Sequence, residues 1–291
     1  MSAGRRRILV TNDDGVYSEG IKLLAEALAE IGDVVVVAPD REQSATSHSL
    51  TLHRPLRIRQ LEEHQWVVDG TPTDCVNLAV LHLLKERPPD LVASGINFGS
   101  NLGDDVTYSG TVSATFEASL LGIPSIAFSQ QVGEHFSFAP GARFARRMVA
   151  ELFGTELPPD LLLNVNFPAG EPRGVAFSKL GRRIYQQSIV EKLDPRGRKY
   201  YWIAGTPEFK EEEGTDFAAI DRGQISITPL HLDLTDYRGL ETFGPLEGRL
   251  RRITGPAEPM AAAEPAPAGG GAPAGGGAAA GAGRSPGGGE G

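Results

Sequence analysis

Short, wholly apolar runs alternate with helical periodicities through most of the chain, and each apolar run breaks off into polar or glycine-rich residues. Ile8, Leu9 and Val10 make the first run. It is too short for a helix and predicts a buried strand ending in Asn12, Asp13, Asp14 and Gly15. Ile21, Leu24, Leu28 and Ile31 follow at three- to four-residue spacing and predict an amphipathic helix. Strand, acidic turn and helix form the first half of a βαβ unit. Residues 33–38, with four successive valines, read as a second strand of the uninterrupted, β-branched kind that parallel sheets bury on both faces.

The same reading assigns strands to 55–59, 65–69, 88–94, 122–128 and 161–167, and helices to 71–85, 108–121 and 138–153. Small residues dominate one face of 108–121, which lets that helix pack closely on a sheet. Beyond residue 170 the pattern turns to β-structure at 175–179, 183–190, 199–204 and 224–228, with a turn at 194–197. Residues 229–235 lead to the close of the domain, and His231, alternating with leucines, is expected to be structural. The fold class predicted is α/β: a Rossmann-like, mostly parallel sheet with helices on both faces, plus a C-terminal β-hairpin extension at about 183–204. An aromatic-bearing hairpin left exposed would be a liability, so it is expected to pair with another subunit.

Composition alters this picture at the end of the chain. From Gly255 to Gly291 almost every residue is Gly, Ala or Pro, which predicts a disordered tail and leaves residues 1–254 as one domain. The net charge of -9 gives little long-range attraction to nucleic acid, so no long nucleic acid is expected and any nucleotide substrate is small and locally held. Cys75 is the one cysteine, which rules out an intramolecular disulfide and points to the reducing cytoplasm. It sits on an apolar helical face and reads as a small core residue. No apolar run approaches the ~18–20 residues that span a bilayer, so no membrane association is expected. Arg5-Arg6-Arg7 precedes too short an apolar run to be a signal peptide.

The chemistry gathers at strand ends. In open α/β sheets the crevice beyond the carboxyl ends of the strands is where ligands bind. Two adjacent carboxylates placed there, Asp13 and Asp14, repel each other unless a cation intervenes, and hard divalent cations prefer oxygen ligands. By themselves they fit equally well a turn that caps the next helix. Residues 39–49 form a long polar loop with hydroxyls at Ser44, Thr46, Ser47 and Ser49; His48 there could be an acid or base, but is expected to be merely solvated. Residues 95–105 form a glycine-rich loop carrying Asn97 and Asn101. Ser109-Gly110-Thr111 opens a helix and offers unpaired N–H groups and two hydroxyls, either an anion site or an ordinary N-cap. An Asp, Asp, Ser, Asn set is all oxygen and suits Mg²⁺, Mn²⁺ or Ca²⁺ better than zinc. Beside an anion-binding helix start, such an ion suggests metal-assisted phosphoester hydrolysis.

Motifs also recur in a recognisable order. They are Thr-Asn-Asp-Asp-Gly at 11–15, Val-Ala-Pro-Asp-Arg at 37–41, Gly-Thr-Pro-Thr-Asp-Cys at 70–75 and Ser-Gly-Ile-Asn at 94–97. Asn-Leu-Gly-Asp-Asp at 101–105, Tyr-Ser-Gly-Thr at 108–111, Asp-Pro-Arg-Gly at 194–197, Tyr-Trp at 201–202 and Gly-Thr-Asp-Phe-Ala-Ala at 214–219 complete the set. Together they resemble the SurE (survival protein E) nucleotidases, over nearly all of residues 7–237. The resemblance implies a metal-dependent phosphatase, a 5′-nucleotidase that hydrolyses nucleoside 5′- and 3′-monophosphates with a metal-activated water and sometimes acts on short polyphosphate. It implies one divalent ion per subunit, Mg²⁺ or Mn²⁺, on Asp13, Asp14, Ser44 and Asn97, and phosphate contacts from Asn101 and Ser109-Gly110-Thr111. Asp13 and Asp14 are then the catalytic pair, with Asp13 favoured to activate or position the nucleophile. Members resemble homodimers or homotetramers with exchanged C-terminal elements, which suits the hairpin.

Three other readings compete. A non-hydrolytic nucleotide- or phosphate-binding regulator would favour Arg or backbone amides over two negative charges. Aspartyl-phosphate chemistry commonly has two aspartates one residue apart, whereas these are adjacent. A dinucleotide oxidoreductase is disfavoured, because no Gly-x-Gly-x-x-Gly follows the first strand.

Overall fold

The structure is a computed structural model that describes residues 5–134, 136–184, 188–204, 208–210 and 212–253. The first βαβ unit runs β1 (Arg7–Thr11), α1 (Glu19–Ala29), β2 (Asp33–Pro39). A hairpin follows, β3 (Ile58–Glu62) and β4 (Gln65–Val68), then α2 (Pro72–Leu78) and β5 (Leu91–Phe98). Next come α3 (Gly110–Leu120), β6 (Ser125–Gln130), α4 (Ala139–Phe153) and β7 (Leu162–Phe167). The later part holds β8 (Val175–Phe177), β9 (Arg183–Ile184), β10 (Ser188–Leu193), β11 (Lys199–Ala204), β12 (Glu208–Phe209), α5 (Asp216–Asp221) and β13 (Ile225–Pro229).

Nine strands form one sheet in the order β3-β4-β2-β1-β5-β6-β7-β13-β8. Only β3 with β4 and β13 with β7 pair antiparallel; the other pairs are parallel. Why the early strands are apolar on both faces is visible in β1. Ile8 and Val10 enter a core shared with Leu24 and Leu28 of α1 and Ala142 and Ala145 of α4. Leu9, pointing the other way, enters a second core with Cys75 and Val76 of α2 and Ala114 and Ala118 of α3. The small side chains of α3 let it lie close on the sheet, and Cys75 is fully buried. The α/β expectation with helices on both faces holds.

Several boundaries differ from the expected ones for identifiable reasons. The strand expected at 55–59 begins at Ile58, because the Arg57 amide is taken by the Asp69 carboxylate, 2.7 Å away. The helix expected to reach residue 85 leaves α-geometry after Leu78 and finishes as a π-turn over Ala79–Leu83. The strand ending at Ser94 in the sequence reading runs on to Phe98, so Asn97 stands on a strand rather than in a loop. A bulge against β6 permits this, centred on Gly95 at φ +129°; a Cβ there would lie 2.3 Å from the Phe128 carbonyl oxygen. His231 is exposed rather than built into the core.

The expected hairpin is present as β10 and β11, paired antiparallel from Ser188–Ala204 to Leu193–Lys199. Its turn is closed by the Asp194 carboxylate, which accepts from the amides of Arg196 and Arg198. Residues up to Asp233 pack as one compact unit, and those from Leu234 onward form a second, described through α6 (Tyr237–Phe243) and α7 (Glu247–Ile253). The expected tail at 255–291 lies outside the described residues. Among the described residues no helix is long and apolar enough to cross a membrane.

Candidate active site

Chain polarity sets where chemistry can gather. Parallel β1, β2 and β5 send their carboxyl ends to one edge, so the turns after Thr11 and Pro39 meet the end of β5 there. Asn12 shapes the first turn by donating to the Gly15 carbonyl (3.0 Å) and the Ser18 hydroxyl (2.8 Å). Asp13 is then buried and Asp14 half-buried. The serine loop is tied to this turn by the Gln43 amide, which donates to the Asp13 carbonyl at 2.7 Å. From β5, the Phe98 amide donates to Asp14 Oδ2 at 3.2 Å.

The start of α3 closes the site from the other side. Thr111 Oγ1 donates to Asp13 Oδ1 and lies 3.3 Å from Asn97 Oδ1. Gly110 packs so tightly on Asp13 that a Cβ would stand 2.7 Å from the aspartate Cβ and 2.8 Å from Oδ2. Ser109 serves as the N-cap, its hydroxyl accepting from the Val112 amide at 3.1 Å. A carboxylate therefore sits where the dipole and free N–H groups of a helix N-terminus favour negative charge.

Electrostatics separates the two aspartates from ordinary surface acids. Burial pushes the Asp13 carboxyl above its usual range, against the pull of the Thr111 hydroxyl and of the amides of Asp13, Thr111 and Gly110. Asp14 is pushed up to about 6, first by burial and then by the charge of Asp13, with Glu42 adding to both and the Phe98 amide opposing them. Among the described residues no cation pairs with either carboxylate. Two buried acids without a counter-charge are costly, and a divalent cation with oxygen ligands relieves that cost. The donor set fits such an ion: Thr111 brings the Asp13 carboxylate and the Asn97 amide oxygen together, and the Phe98 amide, next along β5, holds Asp14 beside them. No group of three or more His, Cys, Asp or Glu side chains capable of holding a metal occurs among the described residues, so any set here must draw on amide and hydroxyl oxygens.

Asp13, Asn97, Gly110 and Thr111 are thus joined by direct contacts, with Ser109 capping the same helix and Asp14 attached through the Phe98 amide. Ser44 is not in contact with them: it is exposed, and its hydroxyl donates to Glu42 Oε1 at 2.5 Å, one residue beyond the Gln43 tether. Asn101 belongs to a separate buried network. Its amide nitrogen donates to Ser129 Oγ (2.8 Å), its backbone N–H to Asn166 Oδ1 (2.8 Å), and its carbonyl accepts from Asn164 (2.8 Å) and Asn166 (3.1 Å). A cavity of about 690 Å³ opens beside this network, lined in part by Leu102, Gln131, Phe209 and Phe217; neither Asp13 nor Asp14 lines it.

Some supporting residues gave no signal in the sequence. His48, expected to be solvated, instead holds the buried Glu117 Oε2 at 2.7 Å, while Asn77 donates to Oε1 at 2.8 Å. This pins the serine loop to α3, and the His48 hydrogen bond is the leading cause that lowers the Glu117 carboxyl. Asp216, in a quoted motif but without an assigned role, accepts from the amides of Gly103, Gly181 and Phe217 at 2.7–2.9 Å and so fixes the 101–105 loop. Burial raises its carboxyl. The motif marked Asp216 as notable; only the fold supplies its three partners.

The chain is similar to known proteins of one family. The family model described as "Survival protein SurE" matches residues 8–187. A Myxococcus xanthus protein named 5′-nucleotidase SurE is 54% identical over 241 residues, spanning 81% of this chain and 92% of that protein. A Thermus thermophilus protein named 5′-nucleotidase SurE 1 is 52% identical over 250 residues, spanning 83% and 98%. The crystal structure of the SurE protein from Aquifex aeolicus superposes with a TM-score of 0.75 at 46% identity, covering 83% of this chain and 99% of that one.

Proposed function

The chain belongs to the survival protein SurE family, and from that membership we propose that its aspartate site is a nucleoside monophosphate phosphatase centre. The protein is a 5′-nucleotidase that releases phosphate from nucleoside monophosphates. Its reach extends to 3′-monophosphates and short polyphosphate. The observation that carries the reading is the buried Asp13–Asp14 pair, without a cationic partner among the described residues, against the N-terminus of α3.

Asp13, Asp14 and Asn97 would hold one divalent ion per subunit, Mg²⁺ or Mn²⁺, and Ser44 would join them on giving up its hydrogen bond to Glu42. Bound there, the ion supplies Lewis-acid polarisation of a phosphoryl oxygen and lowers the pKa of water. The protein's own groups do the rest. Thr111 and Gly110 fix the Asp13 carboxylate, which positions the nucleophile and takes its proton. The Phe98 amide fixes Asp14. Ser109, Gly110 and Thr111, with the second N–H of the Asn101 amide, receive the phosphate oxygens. The hairpin at 183–204 presents Tyr201 and Trp202, each more than half exposed, and is the surface through which a homodimer or homotetramer forms. Cys75, buried and unpaired, suits a cytoplasmic setting.

The deciding experiment is phosphate release from a panel of 5′- and 3′-nucleoside monophosphates with Mn²⁺, Mg²⁺ or EDTA, on wild type and Asp13→Asn. Metal-dependent turnover that collapses in the variant is expected. No release from any nucleotide with either ion would overturn the reading.

A further inference from the structure

The site has an apolar shoulder that phosphate chemistry does not use. Phe98 ends β5, directly after Asn97, and its backbone N–H is the group that holds Asp14. Its ring is therefore one phenylalanine side chain away from the Asp14 carboxylate. That ring is 57% exposed, although the strand behind it is fully buried from Leu91 to Ile96. It is also braced. Phe98 packs on Phe136 with centroids 4.8 Å apart, and Phe136 meets Phe138 edge-to-face at 4.7 Å. Phe138 is buried in the core that contains α1 and α4, so the cluster is rooted in the sheet.

An aromatic ring held on one side by other rings and open on the other costs apolar exposure in the free protein. A flat, polarisable ligand group laid on the open side removes that cost. Base–aromatic stacking contributes to binding and is tolerant of sequence, because every base has a π-face. In a nucleoside monophosphate, the base lies one ribose away from the phosphate.

We propose that Phe98 is the platform on which the substrate's nucleobase stacks, so that this ring confers the preference for nucleotides over base-free sugar phosphates. The assignment rests on the phosphatase reading of the same site and deepens it. Phosphate is received at the start of α3, beside Asp13 and Asp14, and the base extends along the rim to Phe98. Phe136 keeps the ring from turning away. Because the Asp14 tether is a backbone N–H, replacing the Phe98 side chain leaves that tether in place.

The test compares adenosine 5′-monophosphate with ribose 5-phosphate on the full chain. Dissociation constants are measured by calorimetry in EDTA, and kcat/KM with Mn²⁺. Wild type is expected to prefer the nucleotide by about 5- to 150-fold in Kd. In Phe98→Ala that ratio falls at least fivefold; in Phe98→Tyr it is kept; Phe98→Leu, which keeps apolar bulk but loses the π-face, resembles Ala. A wild-type ratio near one, a ratio unchanged in Phe98→Ala, or an equal loss for both ligands would overturn the assignment. Turnover without a preference refutes the stacking platform alone. A preference without turnover refutes the phosphatase reading alone, and neither binding in EDTA nor turnover with Mn²⁺ for either ligand refutes both.

Discussion

Gly110→Ala adds one methyl group and tests whether the position of Asp13 carries catalysis. The new Cβ would lie 2.7 Å from Asp13 Cβ, whereas carbon atoms rest at about 3.5–4.0 Å, so the two must separate by roughly 1 Å. Asp13 has little room to yield. It is 5% exposed, its carboxylate takes the Thr111 hydroxyl, and its carbonyl takes the Gln43 amide. Displacing a reacting group by about 1 Å costs on the order of 10²-fold in rate, and kcat is expected to fall by about that factor. Stability should fall less than the rate does. Overpacking costs about 1–3 kcal/mol, but Gly110 does not have positive φ, so alanine is conformationally allowed there and helix propensity returns up to about 1 kcal/mol. The assay is phosphate release as a function of Mn²⁺ concentration, alongside a thermal melt. Loss of rate with weakened Mn²⁺ dependence in a variant still folded at the assay temperature supports the argument. A variant within threefold of wild type, with the same Mn²⁺ dependence, would show that close packing on Asp13 does not matter to the reaction.

Five further outcomes follow from the same structure. Because Asp14 is raised to about 6, metal uptake must displace its proton below that pH, and Mn²⁺ affinity should fall about tenfold per pH unit there in calorimetric titrations. The linkage sign is the reverse of the usual carboxylate case: in EDTA the Asp14 charge costs stability above pH 6, so Asp14→Asn should raise Tm more at pH 7 than at pH 5. For Glu117, lowered first by His48, the stabilisation is present above its ordinary value of 4.5 and is lost as pH falls through the depressed one. Glu117→Gln should cost about 1–2 kcal/mol in urea unfolding at neutral pH and little in acid, and His48→Ala should raise the Mn²⁺ concentration needed for activity by loosening the serine loop. Asp216→Ala strands the amides of Gly103, Gly181 and Phe217 and should cost about 3–5 kcal/mol; a loss below 1 kcal/mol would mean water replaces the carboxylate.

What the sequence determined by itself was whatever local physics dictates. The apolar run at 8–10 and the valines at 34–37 can only be strands buried on both faces, and the polar break after each must lie at a sheet edge. That was enough for the α/β class and for a hairpin expected at about 183–204, whose paired strands lie at 188–193 and 199–204. The SurE resemblance added residue roles that spacing alone left open between a metal site and a capped turn.

Tertiary structure decided which of those residues touch. Asn97 read as loop, because nothing local foretells that Gly95 lets β5 bulge past the Phe128 carbonyl and carry it onto a strand. The start of α3 offers an anion site in the sequence, and only the fold lays the Asp13 carboxylate against it, a meeting of residues 98 apart in sequence. His48 read as solvated because its partner Glu117 is 69 residues away. Nothing in the sequence singles out Phe98, and only the packing of Phe136 and Phe138 makes it a braced, exposed ring. Periodicity and turn chemistry act over a few residues and are written locally; contacts between strand ends are fixed by sheet order, which the chain acquires only when it folds.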